Sequence, residues 1–214
     1  LRLGATIYYL QKESIYDAAF RLVEVIDYDP YDDSVLTDTT YTYDNNGNLL
    51  SETTAGVTKT EYEYNQANLV TKVENFNYIN NDWATISLFE YTYYTDGNQR
   101  TKYDSTRSIT TTYTYDGAGR LLSEVEILNE NLYQSYTYTY DHAGNRHDVT
   151  AAGTNVYYTE YEYNDANQLL TETTTVGLVD TITVYDYNDR GSVTEKKVDN
   201  VVTDTYTYDA RNRL

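Results

Sequence analysis

The chain of 214 residues contains no cysteine, no methionine and a single proline, Pro30. Without cysteine there is no disulfide framework, no thiolate nucleophile and no cysteine metal site. Proline removes a donor from a β ladder, so its near absence leaves long strands unobstructed. No run of 18 apolar residues occurs, which excludes a membrane-spanning helix. Basic residues are also scarce, 15 Lys and Arg against 34 Asp and Glu, for a formal charge of -19. Nucleic-acid phosphates and anionic membrane surfaces are bound through clustered Lys and Arg, so neither is an expected partner. The acidity reads first as solvation of exposed strand faces. His142 and His147 are the only histidines, and both flank one turn, as surface imidazoles rather than a general base or metal ligands. No serine has a positioned His and carboxylate partner, so a hydrolytic triad lacks support. The expectation is a protein that is not an enzyme.

Tyrosine is the residue in excess, 28 of 214. Eight copies of a Tyr-x-Tyr frame, closed by Asp or Asn in all but one, begin at Tyr41, Tyr62, Tyr91, Tyr113, Tyr138, Tyr161, Tyr185 and Tyr206, spaced 21 to 29 residues apart. Such a period marks one supersecondary unit copied in tandem. In the copy at Tyr41, Tyr41-Thr42-Tyr43 alternates as a half-buried strand, and Asp44-Asn45-Asn46-Gly47 is a dense turn signal. Leu49 to Thr54 makes a second strand, Ala55-Gly56 a tight turn, and Thr58 to Tyr64 the next strand. Three residues beyond the Asp/Asn position stand Gly47, Asn68, Gly97, Gly119, Gly144, Asn167, Gly191 and Asn212. Gly and Asn enter the left-handed backbone region most cheaply, so one shared turn geometry is expected. Asp116, Asp141 and Asp209 recur at one repeat position and read as turn formers rather than catalytic carboxylates.

The fold class that follows is all-β: an antiparallel β-hairpin repeat array of about nine units, forming a spiralling, coiled sheet. A degenerate first unit occupies about residues 14–40, where Phe20 stands at the Gly position and predicts a different turn. Tyr94 replaces the turn Asp/Asn in the third copy, and residues 75–88 read as an insertion. Equivalent tyrosines of neighbouring units should form ladders on one Tyr/Leu-rich face, opposite a Thr/Glu/Lys-rich one.

Tyr113-Thr114-Tyr115-Asp116-Gly117-Ala118-Gly119-Arg120-Leu121-Leu122 resembles the consensus of the RHS, or YD, repeat, and Tyr138 to Gly144 and Tyr41 to Leu50 match nearly as well. The resemblance covers about residues 14–214. It implies hairpin repeats wound into a spiral sheet, as in bacterial polymorphic toxins, insecticidal toxin complexes and teneurins, where long arrays build hollow shells. The chain departs from that pattern by its few units and by lacking an Asp-Pro-x-Gly-Leu motif: Asp29-Pro30 is followed by Tyr31-Asp32-Asp33. Self-cleavage is therefore not carried over.

Three candidate sites remain. Asp27, Asp29, Asp32 and Asp33 concentrate carboxylates that could ligate calcium, the only cofactor considered, with an exposed acidic loop as the alternative. Trp83, with Phe76 and Tyr78, lies in the insertion, the expected place for a glycan or protein ligand. Leu1 and Leu3 at one end, and Tyr206, Tyr208 and Leu214 at the other, read as incomplete units whose strands could complete one another head to tail. The function these readings favour is a non-enzymatic structural protein of the bacterial surface or extracellular space, plausible as a self-associating fibre. The alternatives are a fragment of a toxin-encapsulating shell and a glycan-binding adhesin.

Overall fold

The computed structural model describes residues 11–214, and among these every regular element is a β-strand. They divide into two compact units at Ile109/Thr110. In the first, β1 (Gln11–Tyr16), β2 (Leu22–Tyr28), β3 (Val35–Tyr43), β4 (Leu49–Thr54), β5 (Thr58–Tyr64), β6 (Val70–Ile79), β7 (Asp82–Tyr93) and β8 (Gln99–Asp104) form an antiparallel meander, each pairing with the next. The second unit repeats the plan. Its strands are β9 (Ile109–Tyr115), β10 (Leu121–Leu128), β11 (Asn131–Tyr140), β12 (Arg146–Gly153), β13 (Tyr157–Tyr163), β14 (Leu169–Val176), β15 (Val179–Tyr187), β16 (Val193–Val198) and β17 (Val201–Thr205).

Turns of a meander alternate between its two edges, so each unit has one edge made of Tyr-Asp turns and one made of plain hairpin tips. All eight expected turn residues have positive φ, from 58° at Asn68 and Asn167 to 92° at Gly144. Several plain tips are two-residue turns with both φ positive, as at Asn80-Asn81, Asn129-Glu130 and Asp199-Asn200. That backbone matches the right-handed twist of paired strands.

Residues 75–88 extend β6 and β7 into a hairpin longer than its neighbours, closed by Asn80-Asn81. One expectation changes here: the turn at Phe20 does not differ from the others. Phe20 adopts φ 60°, its N–H donates to the Asp17 carbonyl at 3.0 Å, and Asp17 N–H donates to the Arg21 carbonyl at 2.9 Å, the same pattern as Asp44, Gly47 and Asn48. The hydrogen bonds set the turn, and the residue at its tightest point accepts the strain.

Each sheet is thinly covered. The buried apolar side chains among the described residues are only Val25, Ile109, Val149 and Ala151, and no large side chain is fully buried. The tyrosine ladders take a form other than the expected one. Tyr41 pairs with Glu52 and Tyr62 with Val73, because the return strand of each hairpin stands between successive tyrosine strands. Equivalent tyrosines are thus separated by two strand spacings, roughly 10 Å. The tyrosine face therefore alternates, with Glu172 opposite Tyr161 and Lys196 opposite Tyr185. It also carries the buried polar residues Gln134 and Thr159, and so is less apolar than the sequence suggests.

Candidate functional site

The side chains richest in chemistry gather along the Tyr-Asp edge, and there they bind backbone. The Asp44 carboxylate accepts the N–H groups of Asn46 and Asn48, both at 2.8 Å, and its second oxygen accepts Asn48 Nδ2 at 2.8 Å. Asp116 accepts the N–H groups of Ala118 and Arg120, both at 2.9 Å, with Arg120 Nε at 2.6 Å on the other oxygen. Asp17, Asp141 and Asp209 are placed in the same way. Donors aimed at the ionised form favour it, so these carboxyls lie below the usual carboxylate range. For Asp44 the first cause is the Asn48 side chain, and for Asp116 it is the Arg120 backbone N–H. In the third copy Asp96 substitutes for the missing turn acid, accepting Asn98 N–H at 3.0 Å. Consecutive turns also touch: Asn48 Nδ2 donates to Asn68 Oδ1 at 2.8 Å and Asn145 Nδ2 to Asn167 Oδ1 at 2.9 Å.

In six of the eight frames the second tyrosine has a job that sequence reasoning did not find. A register shift opens the ladder beside each turn, as between Thr42 and Tyr43 or between Thr139 and Tyr140. The carbonyl of the residue that begins the return strand is met there by a hydroxyl from the next repeat. Tyr43 donates to the Leu22 carbonyl at 2.7 Å, Tyr64 to Leu49 at 2.9 Å and Tyr93 to Val70 at 2.5 Å. In the second unit, Tyr140 donates to Leu121 at 2.8 Å, Tyr187 to Leu169 at 2.7 Å and Tyr208 to Val193 at 2.8 Å. A half-buried backbone acceptor is satisfied and two repeats are joined by the same bond. The signal was the invariable second Tyr, where Phe would serve packing equally well.

Phe76, Tyr78 and Trp83 do come together, on the face opposite Tyr62. Tyr78 and Trp83 pair across β6 and β7 with ring centroids 5.0 Å apart at 62°. Lys59 Nζ lies 4.3 Å from the Phe76 ring centre and 5.5 Å from that of Trp83, and it bonds Glu61 at 2.9 Å. The rings are thus already occupied by a cation of the same sheet.

The four acidic residues are not gathered. Asp27 lies within β2 and accepts Thr37 Oγ1 at 3.0 Å, Asp29 accepts Tyr31 N–H at 2.7 Å, and Asp32 accepts Ser34 N–H at 3.0 Å. Asp33 takes φ 56° in the turn, and among the described residues no group of three or more His, Asp or Glu could hold a metal ion. His142 and His147 line an open groove of about 750 Å³ between two Tyr-Asp turns. His147 Nδ1 sits 3.0 Å from Asp148, whose hydrogen bond raises the imidazole pKa. Of the proposed end contacts, Leu1 and Leu3 lie outside the described residues. Tyr208 is engaged with Val193, Tyr206 N–H donates to the Thr194 carbonyl at 2.9 Å, and Leu214 is exposed. Residues 206–214 keep the turn without forming a strand.

Comparison with known proteins agrees with this geometry. The family model described as Teneurin YD-shell matches residues 5–124. No curated protein matches the chain. Among solved structures, TcdB2-TccC3-Cdc42 aligns with a TM-score of 0.73 at 18% identity, over 94% of this chain and 12% of that one. TcdB2-TccC3 without its hypervariable C-terminal region aligns with a TM-score of 0.72 at 18% identity, over 94% and 11%. The Tc holotoxin pore of Photorhabdus luminescens, in a TccC3 variant, aligns at 0.50 and 17% identity, over 86% and 13%. Identity at this level establishes the shared fold, and the chain spans about an eighth of the length of these structures or less.

Proposed function

The chain belongs to the Teneurin YD-shell family, and from that premise we propose that it serves as a length of secreted or extracellular shell wall, a structural repeat protein whose work is mechanical. The observation that carries this reading is the row of tyrosine hydroxyls bonded to backbone carbonyls of the preceding repeat. The turn carboxylates, too, are spent on their own backbone N–H groups, as at Asp44 and Asp116. Side chains that could otherwise act on a substrate hold one hairpin to the next. No helix among the described residues is long and apolar enough to cross a membrane.

Electron microscopy of the complete encoded polypeptide tests the proposal. Hollow particles are expected. Filaments would return the function to head-to-tail fibres, and compact solid particles would overturn the wall. A second reading, sugar binding through Phe76, Tyr78 and Trp83, draws support from the gathering of these rings on one face. Its test is glycan-array binding that disappears in Trp83→Ala.

A further inference from the structure

The joint between β12 and β13 is thinly held. The two strands pair at four positions, Asp148 to Ala151 against Glu160 to Tyr157, where β11–β12 pairs at seven and β13–β14 at six. The row of tyrosine hydroxyls skips this joint too. Tyr140 and Tyr187 bond backbone carbonyls of the preceding repeat, and Tyr163 makes no such bond among the described residues. The groove of about 750 Å³ between two Tyr-Asp turns opens at the same place. On the polar face of the joint, Asp148 and Glu160 stand directly opposite each other in the ladder. Like charges placed that way destabilise a strand pair.

Few cations can offset that pair. The lysines of this unit, Lys196 and Lys197, lie on β16, three strands beyond β13. Arg146 turns to the tyrosine face, with its guanidinium 4.8 Å from the Tyr138 ring centre. What remains is His147, whose Nδ1 lies 3.0 Å from the same Asp148 oxygen that accepts the Thr139 hydroxyl. Acids meet this ring from every neighbouring element: Asp148 on its own strand, Asp141 in the preceding turn, Glu160 and Glu162 on β13, and Asp165 in the next turn. His142 lines the same groove, and the Tyr158 phenol lies beside both opposed carboxylates. We propose that His147 is a proton-operated latch on this joint: its imidazolium offsets the Asp148–Glu160 pair and holds β12 to β13, and its neutral form lets the strands part. The hydrogen bond to Asp148 is the first cause that raises the imidazole above its ordinary value. The contribution of the latch is therefore complete below the unfolded value of about 6.5 and is lost as pH rises through the folded value. The ring is half exposed, so the opening equilibrium should change by roughly two- to fivefold.

Amide hydrogen exchange of the full chain, expressed as protection factors from about pH 5.5 to about pH 8.5, tests the latch. The turn carboxylates, Asp141 among them, stay ionised throughout that range, so the turns themselves do not change. Amides bonded across the joint, within Asp148 to Ala151 and Tyr157 to Glu160, should lose roughly two- to fivefold protection as pH rises, while those of β14–β15 keep theirs. His147→Gln should hold the joint at its alkaline level at every pH. His147→Lys, charged across the range, should hold it at its acidic level. The His147–Asp148 contact lies within one strand and joins nothing by itself, so Glu160→Gln should flatten the profile as well. His147 and Glu160 are both exposed, and far-UV circular dichroism checks that the variants keep their fold. A pH dependence that survives in His147→Gln would overturn the latch and assign the titration to another group, such as His142. A native joint that follows β14–β15 across the range would overturn it too, as would a native profile in Glu160→Gln. None of these results touches the wall reading.

Discussion

Replacing Tyr140 by Phe removes one oxygen and leaves the ring in place. The hydroxyl lost is 2.8 Å from the Leu121 carbonyl, and the ring keeps its contact with the Arg120 guanidinium, 4.5 Å from the ring centre. A hydrogen bond of this kind contributes about 1 kcal/mol net, and a stranded acceptor costs up to about 3 kcal/mol where water cannot reach it. Tyr140 is half-buried, so water can take part of the vacated bond and about 1 kcal/mol is the expected loss. In a chain of this size that lowers Tm by roughly 2–4 °C. Tyr187→Phe removes the bond to Leu169 four strands away, at 2.7 Å in the native protein. At roughly 19 Å of sheet between the two sites the losses should add, to about 2 kcal/mol. The control is Tyr138→Phe, two residues earlier on the same face, where no hydroxyl bond to backbone is made; a change within about 0.5 kcal/mol is expected there. Urea unfolding followed by far-UV circular dichroism measures the native protein, the three single variants and the Tyr140/Tyr187 double variant. Equal losses at Tyr138 and Tyr140 would refute the idea that the hydroxyl, rather than the ring, joins the repeats.

Phe20→Gly should stabilise the chain. Glycine takes the same positive φ without a Cβ clash, which relieves about 1–2 kcal/mol; its greater chain entropy takes back about 0.5–1 kcal/mol, and the exposed ring loses little packing, so urea midpoints should rise by the difference. Acid should weaken the Tyr-Asp edge. The folded pKa values of Asp17, Asp44, Asp116, Asp141 and Asp209 are depressed, so their contribution is present above the unfolded value near 3.9 and lost as pH falls through the folded values. Melting temperatures below about pH 4 should drop, and less so in Asp116→Asn. Alkali should weaken the tyrosine face. Burial raises Tyr62, Tyr91, Tyr138 and Tyr161, so their contribution is present below the unfolded value near 10 and lost as pH rises through the folded values. A phenolate absorbance titration in which these rings ionise no later than free tyrosine would contradict that.

The period, the strands and the left-handed turn positions were legible because each is written locally. Thr58–Tyr64 is a strand by alternation alone, and Gly47 or Asn68 announces its φ by side-chain type. What sequence left hidden depended on neighbours across the sheet. Phe20 looked like an exception because residue type argued against the turn, whereas the Asp17 and Arg21 hydrogen bonds impose it. The form of the insertion at residues 75–88 was hidden because a longer hairpin and a loop both lengthen the spacing, and only the register of β6 on β7 separates them. The acidic run at Asp27 to Asp33 suggested shared ligation, but Asp29 and Asp32 turn to backbone N–H groups of their own loop and Asp27 to Thr37 on the paired strand.

With so little apolar surface buried among the described residues, each repeat draws its stability mainly from its neighbours. The interactions found here have that range. A tyrosine hydroxyl reaches back one repeat, an Asn side chain reaches forward one turn, and Arg21 Nη1 reaches the Asp44 carbonyl at 3.1 Å in the following turn. All three sit on the Tyr-Asp edge, which explains why residue choice is narrow there. The plain edge needs only a tight hairpin, a condition met by Asn80-Asn81, by Asn129-Glu130 and by a turn containing Gly177. Bonds between hairpins on that edge fall to a few positions, such as Asp199 accepting the Ile182 N–H at 2.9 Å, and Leu178, fully exposed, is where side-chain choice departs furthest from what the turn requires.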